Sequence, residues 1–448
     1  MTIALAELAS CFEGVIPSII TTVAADGTPN ISYLSHVVSV DNGHVALSNQ
    51  FFSKTAANVR ANPRAALLVV DALNGLQYRL DIAFKESLET GPLFERMAAD
   101  LKAASLQISM GSVMRLRAID VYRVLAIRKV RSPVMRAAPV PGMAGERLKG
   151  LGMLASALAE AEDLAVLLET TLASLRDEFG FRPAMILAYD AAREKLTTIA
   201  SAGYRTSGIG SEVALGDGLI GTAALERRSL RINDMSRTRR FGGAIEASGS
   251  TRENHTRTIS LPGLPDAMSQ LVVPLVAQHQ LKGVLVIESE KRLAFSPDDE
   301  VAMSILGRHL AMALSLVETD PPETPAARTV GGTGAPAAGP VFRVVHHPID
   351  DSVFIGNEYI VRGVPGRLLM SFLRIYLREG RREFSNKEIR ADATLRLPDF
   401  KDNLETRLLL LQRRLQEKHA PVQVERPARG RILLVVSGQP AINDAPED

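Results

Sequence analysis

The chain has 448 residues, of which 46% are apolar and 23% charged, and its formal net charge is +2. This length exceeds one ordinary hydrophobic core and predicts about two to four domains. A single cysteine, Cys11, excludes an intramolecular disulfide framework and a zinc site made of several cysteines. No apolar run approaches the roughly 18 residues of a membrane span, and no secretory signal is visible. We therefore expect a cytoplasmic protein without a membrane partner.

Two segments rich in proline and glycine divide the chain into modules. They contain few bulky side chains to bury, which predicts linkers. The predicted order is a first module at 1–131, a linker at 132–147, a second module at 148–318, a linker at 319–340, a third module at 341–438 and an acidic tail at 439–448.

Charge is unevenly distributed among the modules. Residues 341–438 carry 18 Lys and Arg against 12 Asp and Glu, whereas residues 1–340 carry 34 against 35. A basic excess confined to one end fits a nucleic-acid contact there, although such an excess also occurs on ordinary protein surfaces.

The first module is predicted to be mostly strand. Apolar, β-branched runs alternate with turn signals such as Asp26-Gly27 and Asp41-Asn42-Gly43. A short helix near 55–61 ends at Asn62-Pro63, because proline disfavours helical geometry in the residue before it. About six antiparallel strands with one or two short helices indicate a small barrel.

The turn before this short helix carries Ser53, Lys54 and Thr55. Two hydroxyls, an ammonium and the unpaired N–H groups of a helix N-terminus together suit a phosphate group. Ser and Thr are also good helix caps. The residues alone therefore leave both a phosphate site and a plain capped helix open.

The order of hairpin, Ser48-Asn49, Ser53-Lys54-Thr55 and the run at 58–67 resembles the FMN-binding split barrel of the pyridoxamine 5'-phosphate oxidase superfamily, over residues 8–130. The resemblance implies that Ser53, Lys54 and Thr55 hold the flavin phosphate and that Ser48 and Asn49 lie near the ring. Relatives that use this barrel for haem or another flavin stay open. The oxidases carry a basic residue on the strand that here spans 32–36 and has none, and their substrate-binding set is not found.

The second module begins with leucines at three- and four-residue steps between 145 and 179. This pattern predicts one long helix whose stripe is either core or a dimer seam. A polar, glycine-rich stretch with several arginines at 236–266 is either a lid over an anion or a disordered loop.

The second module resembles a GAF domain over roughly 150–317. The carrying runs are Gly-Asp-Gly-Leu-Ile-Gly at 216–221, Val-Val-Pro-Leu-Val at 272–276, Gly-Val-Leu-Val-Ile-Glu at 283–288 and Phe-Ser-Pro-Asp-Asp-Glu at 295–300. GAF domains bind cyclic nucleotides, chromophores, haem, small acids or nothing, so the resemblance implies a sensor of an unnamed small ligand. The module has no cysteine, which excludes covalent bilin attachment.

The third module combines short hairpins with three helices, the last at 400–418 with a core stripe of Leu404, Leu408, Leu411 and Leu415. It resembles the winged-helix effector domain of response regulators over 350–437. In that family the third helix enters the major groove and the wing touches the minor groove or backbone. The residues that this implies as DNA contacts are Arg407, Arg413, Arg414, Lys418, Arg426, Arg429 and Arg431.

Helical spacing puts Arg407, Arg414 and Lys418 on one flank of the third helix, and Arg413 and Thr406 on the opposite, exposed side. Three further residues, Leu409, Leu410 and Glu417, make the outward face less polar than a base-reading surface. A winged helix used for protein contacts, or a solvated arginine-rich face, therefore stays open.

We thus expect a multidomain fold: a mostly β antiparallel split barrel, an α/β GAF domain and an α+β winged helix. The predicted function is a homodimeric flavin- or small-ligand-sensing transcriptional regulator that binds FMN and DNA. The alternative is an FMN-dependent oxidoreductase regulated by its GAF domain, and a third is a degenerate barrel that only dimerises. No nucleophile elbow, paired-carboxylate motif, Walker loop or metal-spaced His/Glu pair is present in the sequence.

Overall fold

A computed structural model describes most of the chain. The described residues are 3–34, 36–49, 54–106, 116–131, 144–161, 163–235, 259–318, 339–395, 397, 403–428 and 430–444. Ser53 and Arg429, two of the predicted site residues, lie outside them. The same holds for both predicted linkers, apart from their last residues 144–147 and 339–340, and for residues 236–258 of the arginine-containing stretch.

Within the described residues, seven strands build the first domain. They are β1 (Ser18–Val23), β2 (Pro29–Leu34), β3 (Val37–Asp41), β4 (His44–Asn49), β5 (Arg64–Val70), β6 (Gln77–Leu88) and β7 (Ala118–Val130). They form one sheet in the order β2-β1-β5-β6-β7-β4-β3, with antiparallel pairing throughout. The stretch at 32–36, predicted as one strand, spans the end of β2 and the residues before β3.

This sheet curls around one core, because inward side chains from β1, β3, β4, β5, β6 and β7 meet in a single apolar cluster that includes Ile20, Leu67 and Tyr122. A 3-10 helix (Leu5–Phe12) closes that core, and helix α1 (Lys54–Ala61) adds Val59 to it. Helix α2 (Pro92–Leu106) covers the outer face of β4 and β7. The prediction of a β-rich barrel is confirmed.

The second domain is a sheet with helices on both faces. Its elements are α3 (Ala144–Glu160), α4 (Leu164–Asp177), β8 (Ala184–Asp190), β9 (Lys195–Ala202), β10 (Glu212–Ala214), α5 (Gly218–Glu226), β11 (Leu230–Ile232), β12 (Ser269–Ala277), β13 (Gln280–Ser289) and α6 (Pro297–Val317). The strand order is β10-β9-β8-β13-β12-β11. Helices α3, α4 and α6 cover one face and α5 covers the other.

The prediction of one long helix between 145 and 179 is wrong, because a new helix starts at Leu164. The Asp163 carboxylate accepts hydrogen bonds from the N–H groups of Ala165 (2.6 Å) and Val166 (3.3 Å), which caps α4. Most of the leucine stripe, from Leu154 to Leu175, is core. By length and composition α6 could span a membrane, but its apolar face packs in this same core.

The third domain consists of two small sheets around three helices. Its elements are β14 (Val341–His347), β15 (Ser352–Ile355), β16 (Glu358–Val361), α7 (Val364–Glu379), β17 (Glu383–Ser385), α8 (Asn386–Ala391), a 3-10 helix (Ala393–Leu395), α9 (Leu404–Glu417), β18 (Val422–Ala428), β19 (Arg431–Val436) and β20 (Gln439–Asp444). The sheets run β16-β15-β14-β20 and β17-β19-β18.

The acidic tail predicted at 439–448 is partly strand, which corrects that boundary. Strand β20 pairs in parallel with β14, from Val341 opposite Gln439 to His346 opposite Asp444. The Asp444 carboxylate accepts a hydrogen bond from Arg374 Nη2 (3.0 Å) and lies 3.1 Å from His346 Nδ1. Backbone pairing and these polar contacts therefore join residues 439–444 to the third domain.

The second domain contacts both neighbours, at opposite edges of its sheet. At the β11 edge lies the barrel junction, which comprises Glu13, Asp100, Arg228, Arg231 and Asn233. At the β10 edge lies the helix junction, where α9 and β16 of the third domain pack against β8, β9, β10 and α4. Its contacts are made by Glu169, Asp190, Ile199, Glu212, Glu318, Arg362, Asn403, Thr406, Arg407, Leu409 and Arg413.

Candidate functional site

The start of α1 meets the edge strand β2 in a group of hydroxyl and amide side chains. Thr55 Oγ1 lies 2.8 Å from Ser32 Oγ and accepts a hydrogen bond from Asn30 Nδ2 at 3.0 Å. The same amide lies 3.3 Å from Thr22 Oγ1 on β1. We call Thr22, Asn30, Ser32 and Thr55 the hydroxyl cluster. It brings the predicted phosphate residue Thr55 next to the strand on which the oxidases carry a basic residue.

Lys54 is exposed at the first position of α1, beside the hydroxyl cluster. Hydrogen bonds from Thr28 lower the pKa of the exposed Asp26 carboxyl, and the positive charge of Lys54 lowers it further. Neutral hydroxyls, one ammonium and helix N–H groups are the donor set that a phosphate needs. The described residues therefore fit a phosphate group, and Ser32 adds a hydroxyl from the strand that lacks a basic side chain.

Ser48 and Asn49 lie at the end of β4, opposite Ile119 and Ala118 of β7. The Asn49 side chain donates a hydrogen bond to Asp120 Oδ2 at 3.2 Å, and Ser87 donates to the other oxygen of that carboxylate. Burial raises the pKa of Asp120 against the opposing effect of these hydrogen bonds. Sequence reasoning missed Asp120, although a carboxylate inside the apolar run of β7 was a visible signal.

The second domain also contains a buried carboxylate, Glu288 at the end of β13. Its Oε2 accepts a hydrogen bond from the Leu264 N–H at 2.9 Å, and its Oε1 accepts one from Gln270 Nε2 at 3.0 Å. Burial raises the pKa of Glu288 despite these hydrogen bonds. Burial and the neighbouring carboxylate also raise the pKa of Tyr204. The sequence signal was the glutamate that ends the apolar run at 283–288, to which no role had been assigned.

Helix α9 has its predicted inner face: Leu404, Leu408, Leu411 and Leu415 lie in the third domain's own core. The prediction that Arg413 and Thr406 lie on an exposed side is wrong, because that side packs against the second domain. Arg413 donates from Nη1 to the Ile199 carbonyl at 2.6 Å and lies 3.3 Å from Glu169. The Thr406 hydroxyl donates to Glu318 at 2.9 Å.

Two further predicted DNA contacts on α9 are buried. Arg414 donates to the carbonyls of Ile360 and Tyr359, both at 2.9 Å, and so ties α9 to β16. Arg407 lies with Nη2 3.8 Å from Asp190, at the end of β8. Both arginine side chains are less than 10% exposed, so neither presents its guanidinium to solvent in this arrangement.

The remaining described residues of the predicted DNA surface lie at the end of α9 and on the hairpin β18-β19. Lys418 pairs with Glu358 at 2.5 Å, and Arg426 pairs with the buried carboxylate of Glu405. Arg431 is half-buried on β19, opposite Ser385. These side chains therefore lie around α9 and the hairpin β18-β19, and most of them form ion pairs or hydrogen bonds with other residues of the chain.

Glu212 is the electrostatic centre of the helix junction. Arg193 donates to its two oxygens at 2.7 and 3.1 Å, Lys195 lies 3.2 Å away, and Arg362 of the third domain donates to both oxygens as well. Burial opposes ionisation, but the hydrogen bonds from Arg362 and Arg193 outweigh it and lower the pKa of Glu212 to about 2. This carboxylate therefore stays charged and binds cations from both domains.

Comparison with protein families accounts for the first two domains. Residues 5–127 match the family model described as pyridoxamine 5'-phosphate oxidase, and residues 161–315 match that of the GAF domain. The chain contains a pyridoxamine 5'-phosphate oxidase-like barrel followed by a GAF domain. Neither match extends into the third domain, and no curated protein matches the chain.

Several solved structures resemble single parts of the chain. The GAF domain of an Acinetobacter phosphoenolpyruvate-protein phosphotransferase is 20% identical over 38% of this chain and 93% of its own, with a TM-score of 0.31. Free methionine-R-sulfoxide reductase from Neisseria meningitidis, in complex with its substrate, is 21% identical over 39% and 92%, with a TM-score of 0.30. An FMN-binding protein from Syntrophomonas wolfei is 18% identical over 28% and 85%, with a TM-score of 0.24. Similarities of this size carry no argument about ligand or activity.

Proposed function

We propose that this chain is a cytoplasmic, homodimeric transcriptional regulator that senses ligands through its barrel and GAF domain and binds DNA through its third domain. The observation that carries the proposal is the order of elements in that third domain, together with its charge. Its order of helix, strand, two helices and hairpin supports a winged helix, and it holds the chain's basic excess. Two sensor-type domains precede it and touch each other through the barrel junction.

The barrel's ligand in this proposal is FMN. Its phosphate would be held by Ser53, Lys54 and Thr55, and Ser48 and Asn49 would lie toward the ring. The donor set of the hydroxyl cluster and the exposed Lys54 support the phosphate, and the match of residues 5–127 to the oxidase family supports the flavin. The redox chemistry would come from the bound flavin.

The absorbance spectrum of the purified protein tests the flavin. We expect a yellow protein whose flavin bands are lost in Lys54→Ala and kept in Lys85→Ala, which changes an exposed lysine on strand β6 of the barrel. A colourless protein that takes up no added FMN would reject the flavin and, with it, the sensory role assigned to the barrel.

Salt-dependent binding to genomic DNA fragments tests the output. Lys418→Ala and Arg431→Ala should together weaken binding and reduce the slope of affinity against salt by about one for each phosphate that is no longer bound. Arg378→Ala, which changes an exposed arginine on α7, serves as the control. No retention on DNA even at low salt would reject the regulator.

An FMN-dependent oxidoreductase is the second candidate, and the match of the barrel to an oxidase family favours it. Its test is steady turnover of a reduced nicotinamide by the flavin-loaded protein. Turnover without DNA binding would select this candidate over the regulator.

A further inference from the structure

The outer face of α9 is occupied by the GAF domain. Leu409 inserts into the apolar cluster formed by α3, α4, α6 and the GAF sheet, while Arg413 and Thr406 bind the backbone and carboxylates around it. Asn403, just before α9, donates to the Tyr189 carbonyl at 3.2 Å. At the other end of α9, the Ser207 hydroxyl donates to Glu417 at 2.8 Å. The GAF domain thus contacts the helix along its whole length.

Three arginines of the third domain face carboxylates of the GAF domain. Arg362 binds Glu212, Arg413 binds Glu169, and Arg407 lies near Asp190. A DNA backbone would offer the same arginines phosphate oxygens, which bind guanidinium groups in the same way. The acidic edge of the GAF domain and a nucleic acid would therefore compete for Arg407 and Arg413, two of the predicted DNA contacts.

The helix junction joins two domains that have separate cores. The four leucines of the inner face of α9 belong to the third domain's own core, which is separate from the core of the GAF domain. Across the junction the contacts are mainly hydrogen bonds and ion pairs, with Leu409 as the apolar exception within the GAF core. Interfaces of this polar kind are typical of domains that move relative to each other.

Two cavities lie between α9 and the GAF domain. A cavity of about 60 Å³ lies among Asp190, Glu212, Arg362 and Arg407. This volume holds a few water molecules, whereas small-molecule sites occupy several hundred Å³. A second, more open cavity of about 480 Å³ lies near the C-terminal end of α9, among Glu169, Ser207, Arg413 and Glu417, and its volume is within the range of small-molecule sites.

We propose that the GAF domain masks α9, so that the DNA-binding surface becomes available only when the helix junction opens. This inference rests on the proposed DNA-binding function and adds its regulation. Because the masking contacts are formed in the chain as it stands, the ground state is the closed, DNA-excluded one.

The test uses the full chain and a substitution on the GAF side of the junction. Glu212→Gln removes the charge that Arg362 binds and leaves Arg193 and Lys195 to repel it, without changing any predicted DNA contact. The matched control is Glu290→Gln, an exposed glutamate elsewhere on the GAF domain. If Glu212→Gln alone does not open the helix junction, Glu169→Gln is added, which removes the negative charge that Arg413 binds.

Two readouts are measured on each variant. Spin labels at Glu160→Cys on α3 and Arg378→Cys on α7, both exposed positions, report the distance between the domains without DNA. Binding to genomic DNA fragments at fixed salt reports the output. We expect a narrow distance distribution and weak DNA binding in the parent and in Glu290→Gln. In Glu212→Gln we expect a broader distribution and DNA binding about five- to 150-fold tighter, the range typical of coupling between sites.

Three outcomes would overturn the inference. If the parent binds DNA as tightly as the opened variants, masking is wrong and the DNA-binding function stands. If the distance broadens and no variant binds DNA, the proposed function fails and masking fails with it. If neither the distance nor the affinity changes even in the double variant, the carboxylates to which the inference assigns the masking do not hold the junction closed, and masking through these contacts is wrong.

Discussion

The two junctions of the GAF domain have opposite charge arrangements. At the barrel junction the GAF domain supplies the arginines, since Arg231 binds Glu13 and Arg228 binds Asp100 of the barrel. At the helix junction it supplies carboxylates, and the arginines come from the third domain. One domain thus presents a basic edge to the barrel and an acidic edge to the helix.

This difference separates a permanent contact from an exchangeable one. At the barrel junction Arg231 bridges Glu13 and Glu300, and Asn233 donates to Glu13 at 2.8 Å, so the charges are enclosed on several sides. At the helix junction the carboxylates bind the arginines of the third domain, and under the proposed function the phosphates of DNA would replace them. We therefore expect the barrel junction to persist while the helix junction opens.

The largest effect is expected at the barrel junction. Arg231→Ala leaves Glu13 buried without its cation, and breaking a buried pair from one side costs about 3–5 kcal/mol. Urea unfolding should show this loss, whereas Arg128→Ala, which removes an exposed pair with Asp81, should cost about 1 kcal/mol or less. Equal effects of the two substitutions would mean that the barrel junction is no firmer than a surface ion pair.

The next largest effect is the pH dependence of Glu212. Its pKa falls from 4.5 to about 2 on folding. The carboxylate therefore stabilises the fold fully above about pH 4.5, and this stabilisation is lost as the pH falls through 2. The shift corresponds to on the order of 3 kcal/mol. The difference in unfolding free energy between the parent and Glu212→Gln should thus shrink from pH 6 to pH 2, and a constant difference would contradict the assignment.

The smallest of these effects concerns one hydrogen bond at the helix junction. Thr406→Val keeps the shape of the side chain and removes the bond to Glu318, which should cost about 0.5–1.5 kcal/mol. Thr394→Val is the control, because its hydroxyl bonds to Asp392 on an exposed turn of the same domain. A junction unaffected by Thr406→Val would mean that this hydrogen bond does not help to hold it.

The sequence predicted the barrel well because its signals are local. Turn residues and alternating apolar positions separate the strands, and Asn62-Pro63 ends α1 at the expected place. Ser53-Lys54-Thr55 identified the start of α1, and the neighbouring side chains of Asn30 and Ser32 became visible only in the fold. Asp120 and Glu288 were missed because a single carboxylate in a strand is typical of a solvent-facing position.

The helix junction could not be predicted in the same way. Periodicity assigns the inner leucines of α9, but Ile199 and Ser207, which meet its other face, lie about two hundred positions earlier in the chain. The signal that existed was the apolar character of Leu409 and Leu410 on a helix face expected to be polar. That departure from a DNA-reading face indicates a protein surface that covers the helix.

The most direct test of masking is the distance between α3 and α7 in the parent chain with and without DNA. Coupling between sites is reciprocal, so a DNA that requires an open helix junction must itself open it. We predict that saturating DNA at low salt lengthens and broadens the spin-label distance, while the barrel junction stays intact. Bound DNA with an unchanged, narrow distance would contradict masking.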